Sequence, residues 1–263
     1  MRIRFVLALL ALVLAPAPPA SAQALEGVIK LRTISVDREG LYTRGFDDAE
    51  AILDMPIERI LALRAELESD GYLNYEEVET TFKGDLVRSD ISAEGMVAWI
   101  VMDLDKGTMQ MVQPAENMVM EMTRADMERI TAMSGDMEDM APEMEVVETG
   151  LTRKINGWNC VAYDVSNYEE TNRVWVSNDD PRLTKAYRSF GEAMTKMSMG
   201  EEVSADFLVA EHGFPILSQR VTDGMYDIDE VISFERGSVS DALFVIPAGY
   251  RKINMAQMMG IGR

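Results

Sequence analysis

Residues 96–122 read MVAWIVMDLDKGTMQMVQPAENMVMEM, and the way methionine recurs in them decides the kind of fold to expect. Met109 and Met111, and then Met118, Met120 and Met122, fall on every second position. Successive side chains of a strand point to opposite faces, so each set occupies one face of its own strand. Met96 to Leu104 is apolar on both faces around Trp99. Lys106-Gly107 and Gln113-Pro114 to Asn117 supply turn chemistry between the runs. The pattern predicts an antiparallel meander. It begins upstream near Tyr75, where Val78, Thr80 and Phe82 alternate with Glu77, Glu79 and Thr81.

Outward from this stretch, Val28 to Val36 is rich in β-branched residues and reads as a first strand. A second meander is expected over Glu145 to Ile155, Trp158 to Ser166, Thr171 to Ser177, Ile216 to Thr222, Met225 to Phe234 and Leu243 to Ile246, with Asn156-Gly157 as a hairpin turn. Three helical segments interrupt the strands. The first runs from about Asp47 to Asp70, with Pro56 opening its second half, Ile57, Ile60, Leu61, Leu63 and Leu67 at helical spacing, and Gly71 as the cap. The last runs from Pro181 to about Met199, capped by Asp179 or Asp180, with Leu183, Tyr187, Phe190, Met194 and Met197 on one stripe. Between them, Thr123 and Asp126 resemble a capping box, and Met127, Ile130, Met133, Met137, Met140 and Met144 follow at steps of three and four. Strands dominate and helices are inserted among them. That predicts an α+β fold, a single domain over residues 23–263 with one curved antiparallel sheet and helices covering its concave face.

Charge and composition narrow the function. Lys and Arg total 25 against 45 Asp and Glu, a formal charge of −20 in 263 residues. Such a chain lacks the cationic excess that releases counterions from phosphate backbones, which excludes nucleic acid as a partner. Arg2 and Arg4, the apolar run Phe5 to Leu14 and the small residues Ala20-Ser21-Ala22 read as a cleavable export signal over residues 1–22. The apolar run is too short to span a bilayer, and no later stretch is long enough to span one either. No Cys stands at the cleavage site to carry a lipid. The expected location is therefore periplasmic or secreted.

With one Cys and one His, the chain cannot build a disulfide framework or a Cys/His zinc site, and no metal site or cofactor is expected. Cys160 reads as a buried, unreactive thiol. His212 is the only imidazole that could serve it as a base, and neither an elbow nor a helix terminus argues for that pairing. No catalytic signature is present, so a binding protein is expected rather than an enzyme.

The chain has 21 Met, 12 of them between Met96 and Met144. Three explanations compete. Unbranched, polarizable Met can fill an irregular core. It can also form an adaptable apolar surface, with a Met-lined lid over a Met-lined sheet face that repacks around a lipid, an acylated protein or a hydrophobic peptide. Third, soft thioethers can hold Cu(I), although no His is interleaved here and the nearby carboxylates are hard ligands. The candidate lining residues are Met109, Met111, Met118, Met120, Met122, Met127, Ile130, Met133, Met137 and Met140. A contrasting expectation is an envelope interaction module without a small ligand, whose acidic surface meets a basic partner.

Several short runs resemble an uncharacterised family of exported bacterial proteins. They are Lys83-Gly84-Asp85-Leu86-Val87-Arg88, Gly157-Trp158-Asn159-Cys160-Val161-Ala162-Tyr163, Val174-Trp175-Val176, Gly213-Phe214-Pro215-Ile216 and Phe244-Val245-Ile246-Pro247-Ala248-Gly249-Tyr250. That family in turn looks like the half-open β-barrel of periplasmic lipoprotein carriers of the LolA/LolB type, whose concave face, closed by helices, holds acyl chains. The resemblance implies that the Met-rich segment after Thr123 is one such lid, and that the helix near Pro56 is an addition. It carries over no ligand-binding or catalytic residue.

Overall fold

Asn156 and Gly157 both take positive φ, 47° and 93°, the backbone that a two-residue hairpin turn with right-handed strand twist requires. They join β7 (Glu145–Ile155) to β8 (Trp158–Ser166). The computed structural model describes residues 25–46, 48–93, 96–103, 105–126, 129, 144–166, 170–185, 187, 205–222 and 224–254. Within them the remaining strands are β1 (Glu26–Asp37), β2 (Leu73–Lys83), β3 (Leu86–Ala93), β4 (Met96–Asp103), β5 (Thr108–Gln113), β6 (Met118–Thr123), β9 (Thr171–Ser177), β10 (Phe214–Val221), β11 (Met225–Arg236) and β12 (Arg251–Asn254).

All twelve strands belong to one sheet, in the order β12-β6-β5-β4-β3-β2-β1-β11-β10-β9-β8-β7. The sheet is curved and unclosed. The two meanders expected from the sequence are joined at the centre, where β1 pairs antiparallel with both β2 and β11. One pair departs from the expected antiparallel pattern: β12 runs parallel to β6, with Met118 beside Arg251 and Met120 beside Ile253. A further expectation fails nearby. Leu243 to Ile246 is not a strand, because Asp241–Phe244 forms a 3-10 turn whose first residues are capped by the Ser240 hydroxyl, which accepts from the Ala242 N–H. That turn buries Phe244 against Val101 and Val239.

The helices lie mainly between β1 and β2. They are α1 (Arg38–Tyr42), α2 (Ala49–Leu53) and α3 (Ile57–Ser69). The sequence predicts one helical stretch from Asp47 to Asp70, but Pro56 is extended at φ −60° and ψ 134° and divides it. Proline lacks the N–H needed to continue a helix, so a new helix starts after it. Carboxylates cap the two short helices, Asp37 accepting from Glu39 N and Asp48 from Ala51 N. The apolar stripe of α3 is as expected, with Ile57, Ile60 and Leu67 buried and Leu61 and Leu63 packed at the margin. A short α4 (Ala205–Leu208) precedes β10. Of the helix expected from Pro181 to Met199, residues 181–185 and 187 are helical and the rest lies outside the described residues.

Burial along β1 shows how the sheet is packed. Ile29 and Leu31 are buried, then Ile34 and Val36, so the buried positions change parity in mid-strand. With a side-chain period of two, the strand is covered from one side at its start and from the other at its end. A register shift in the pairing with β11 lies just before this change, between Lys30 and Leu31. Ile34 is fully buried between Tyr75 and Ile228 across the ladder. Ile34→Ala is expected to cost about 2–5 kcal/mol in urea unfolding, through lost transfer energy and the cavity left behind. Val28→Ala, at a half-buried position of the same strand, should cost less than about 1.5 kcal/mol.

Candidate functional site

The register of β4, β5 and β6 assembles the strand methionines on one face. Met102 of β4 stands opposite Met109 of β5, and Met109 opposite Met122 of β6. In the next row Ile100, Met111 and Met120 align, and Ile253 of β12 extends the row. In the last row Gln113 and Met118 align, with Arg251 donating from Nη2 to the Met118 sulfur at 3.6 Å. Side chains directly opposite in an antiparallel pair lie about 4.5–5.5 Å apart at Cβ, so these thioethers form one surface.

Burial grades across this surface. Ile100 is fully buried and Met118 nearly so, while Met102, Met109, Met111, Met120 and Met122 are half-buried. Towards β3 and β2 the face merges with the main core through Val87 and Phe82, against which Met102 packs. Its one polar break there is satisfied internally, by a 2.7 Å hydrogen bond between the buried Thr80 and Ser89 hydroxyls. The opposite face of the same strands is different in kind. It carries Trp99, Val101 and Gln110, with Phe244 and Val239 packed on Val101 and the Arg88 guanidinium 4.7 Å above the Trp99 ring.

Five of the ten candidate lining residues, Met109, Met111, Met118, Met120 and Met122, are therefore brought together. Met127, Ile130, Met133, Met137 and Met140 lie outside the described residues. The start of their segment follows the expected capping box: Asp126 accepts from the Thr123 N–H at 3.0 Å, and Thr123 Oγ1 accepts in turn from the Asp126 N–H at 3.2 Å. Hydrogen bonds from the Thr123 hydroxyl and from Asn254 Nδ2 favour the Asp126 carboxylate and hold its pKa below the usual range. Met102, Ile100 and Ile253 complete the surface and were not among the candidates. Met102 carried the available signal, since it shares the apolar run of Trp99.

Cys160 and His212 do not form a pair. Cys160 is buried and burial pushes its pKa up to about 12, so it is a thiol at neutral pH. The His212 ring stacks on Tyr163 at 4.4 Å. Tyr163 is three positions from Cys160 on β8, an odd separation that places the two on opposite faces. Among the described residues no group of three or more His, Cys, Asp or Glu is placed to hold a metal ion. An open polar depression lined by Thr43, Arg44, Glu66, Asp70 and Tyr72 lies apart from the methionines and is spanned by Arg44, paired with Glu66 at 2.9 Å and Asp70 at 2.7 Å. No helix among the described residues is long and apolar enough to cross a membrane.

Sequence reasoning also missed a buried polar group on β1, β10 and β11. Thr33 donates to Asp229 at 2.8 Å, Ser35 to Asp227 at 2.7 Å, and Arg220 to Asp227 at 2.8 Å. Asp206 of α4 hydrogen-bonds Ser218, and one of its oxygens, Oδ1, is buried without a hydrogen bond among the described residues. Burial, with the neighbouring Asp206 and Asp227 carboxylates, raises the Asp229 pKa to about 7, against the opposing pull of Thr33 and Arg220. Asp227 and Asp229 alternate with the buried Tyr226 and Ile228, a period-two signal present in the sequence.

The family described as "Domain of unknown function (DUF4412)" matches residues 67–250 of the chain. No curated protein matches it. Among solved structures, PNGF-II in a C2 and in a P21 crystal form is similar at 12% and 11% identity, each with a TM-score of 0.40, over 89% of this chain and 32% and 33% of that one. The chain thus spans about a third of the length of PNGF-II. An uncharacterized conserved protein from Thermus thermophilus is similar at 8% identity with a TM-score of 0.42, over 86% of this chain and 90% of that one.

The Asp229 carboxyl generates a pH test. Its folded pKa is raised, so its contribution to stability is fully present below the unfolded value near 4 and is lost as pH rises through about 7. Wild type minus Asp229→Asn should therefore show a stability difference that moves against the wild type by about 2–4 kcal/mol between pH 4 and pH 8. Urea titrations of both proteins across that range check it.

Proposed function

For a chain that belongs to the DUF4412 family, we propose an exported binding protein that accepts an apolar ligand, a lipid or the acyl chain of a lipoprotein, on the methionine face of β4, β5 and β6. The observation that carries the reading is the register: three neighbouring strands place Met102, Met109, Met111, Met120 and Met122 side by side, half-buried. Methionine has three rotatable bonds and a polarizable sulfur, so such a face can repack around acyl chains of different length. The curved, unclosed sheet supports this reading. No polar motif is needed, since each buried methylene is worth about 0.8 kcal/mol and a dozen give about 10 kcal/mol before the costs of association.

Full burial of Ile100 and near-complete burial of Met118 favour a second reading, an envelope interaction module in which the methionines pack a filled interior. The two separate experimentally. Protein purified from its native envelope is extracted with organic solvent and analysed by mass spectrometry, and the stripped protein is titrated with a fluorescent palmitate analogue. The carrier reading expects co-purified lipid and saturable binding. The Met111→Glu/Met120→Glu variant should lose at least about tenfold in affinity, equivalent to 1.4 kcal/mol. Met111→Leu/Met120→Leu conserves volume and should bind within about threefold of the wild type. Empty protein that ignores the probe, with the Leu variant altered only in stability, overturns the carrier reading and leaves the packed interior.

A further inference from the structure

β7 is one end of the sheet, and no strand among the described residues pairs with its outer side. A terminal strand presents unpaired N–H and C=O groups, and natural sheets usually guard such an edge. Here it is flanked by apolar side chains: Val146 is 38% exposed, Val147 46% and Leu151 44%. Apolar exposure on both faces of an edge strand marks a strand-addition surface.

The order of charges along β7 selects the occupant. Glu145 and Glu148 lie in its first half, Arg153 and Lys154 in its second. The halves are separated by Thr149-Gly150-Leu151, which stand opposite Ala162 alone, since Glu148 pairs with Tyr163 and Thr152 with Val161; Gly150 there has φ 75°. An antiparallel copy of the same strand, related by a two-fold axis at Gly150, lays the acidic arm of each chain on the basic arm of the other. On one face Val146 comes opposite Lys154 and Glu148 opposite Thr152, with Glu148 diagonal to Lys154. On the other face Val147 comes opposite Arg153, with Glu145 diagonal to Arg153. Diagonal neighbours lie about 7–8 Å apart at the backbone, within reach of long side chains. Arg153 leans inward, its guanidinium over the Trp175 ring at 4.3 Å, so the pair that decides across the edge is exposed Glu148 with exposed Lys154.

A self-pairing confined to one arm is excluded by the same charges. It would oppose Glu145 to Glu148, or Arg153 to Lys154. A slip of one residue would move every side chain to the wrong face. Among the described residues the opposite end of the sheet, β12, is a strand of four residues, so a head-to-tail contact there gains a much shorter ladder than the eleven residues of β7 provide to a second copy of themselves.

We propose that a second copy of this chain pairs antiparallel through β7, forming a closed two-fold dimer with a sheet continuous across both subunits. A two-fold contact of this kind uses the same patch on each partner and ends growth at two. The net charge of −20 per chain opposes association at long range, but at physiological ionic strength charges beyond about 8 Å are screened, and the cross-edge pairs decide.

Sedimentation velocity and light scattering of the purified protein, up to about 100 µM, roughly a hundredfold above a micromolar dissociation constant, test this. Wild type is expected to be dimeric. Glu148→Lys and Lys154→Glu are expected to be monomeric when alone, each at least about tenfold weaker in self-association, because the two-fold axis brings like charges together twice. An equimolar mixture of the two variants is expected to restore a dimer. In the mixed pair the two substituted side chains face each other with opposite charge, and the native Lys154 of one chain faces the native Glu148 of the other. Restoration by mixing also shows that both variants are folded. A monomeric wild type, a dimer indifferent to both substitutions, or a ladder of larger species overturns the proposal.

Discussion

The pairing of β1 with β11 is the contact on which the rest of the structure depends. It joins the first described strand to the last long one, with Arg32 and Glu230 bridging a sequence separation of 198 residues. Remove it and the order breaks into a seven-strand wing from β12 to β1 and a five-strand wing from β11 to β7, each with a new exposed edge. Closing so long a loop costs configurational entropy before any contact is gained, although the cost rises only logarithmically with length. The ladder offsets it with more than backbone hydrogen bonds: Ile34 on Ile228 and Val36 on Tyr226 are fully buried, and three polar pairs flank them. Glu230 is almost completely buried, and it is compensated by Arg32 from one side and Asn156 from the other. A buried carboxylate is tolerated only with such partners. Asn156 therefore has two tasks, shaping the β7–β8 hairpin and tying that hairpin to the central seam through Glu230 and the Val231 carbonyl.

On either side of the seam the two wings are built from different materials. Beyond β11, polar side chains are locked into the packing: Arg173 bonds Asp164 and Asp54, and Gln219 links Trp175 to Tyr226. Hydrogen bonds are directional, so these strands are held in one arrangement. Beyond β3, the shared face of β4, β5 and β6 is mostly thioether and aliphatic. Dispersion contacts are individually weak and carry no angular preference, so that face can change shape at little cost. A division of this kind suits a protein with a rigid half and an adaptable half.

How far this was legible in the sequence follows from the range of each signal. Met109, Met111, Met118, Met120 and Met122 could be assigned to faces because alternation is a property of single strands. Their convergence required only two short turns, one of them marked by Pro114 and by Asn117 at φ 47°. The stripe of α3 was readable for the same local reason. The β1–β11 pairing was not, because an Arg opposite a Glu carries no address among 25 cations and 45 acids. Leu243 to Ile246 misled because its apolar content is that of a strand, while the deciding interaction is a single Ser240 cap that folds it into a 3-10 turn. β12 went unread since four residues without alternation leave no periodic trace. The division of the first helical stretch at Pro56 was marked in the sequence by the proline itself, since the apolar residues at helical spacing, Ile57 to Leu67, all follow it.

The acidic excess meets the fold at the same polar group. A chain with twenty more carboxylates than cations must either place its acids in water or compensate them inside. Most of β7 and the outer side of α3 follow the first course. Around Arg220 the second is incomplete: Asp206, Asp227 and Asp229 all feel that guanidinium, while Tyr187 is buried beside Asp206 and Asp229 and supplies no positive charge. Burial first, and then the neighbouring Asp206 and Asp227 carboxylates, disfavour the charged form of Asp229 and raise its pKa to about 7, so a proton does there part of what a second cation would do. Among the described residues Asp227 accepts hydrogen bonds from Arg220 and Ser35, whereas Asp229 accepts one from the Thr33 hydroxyl.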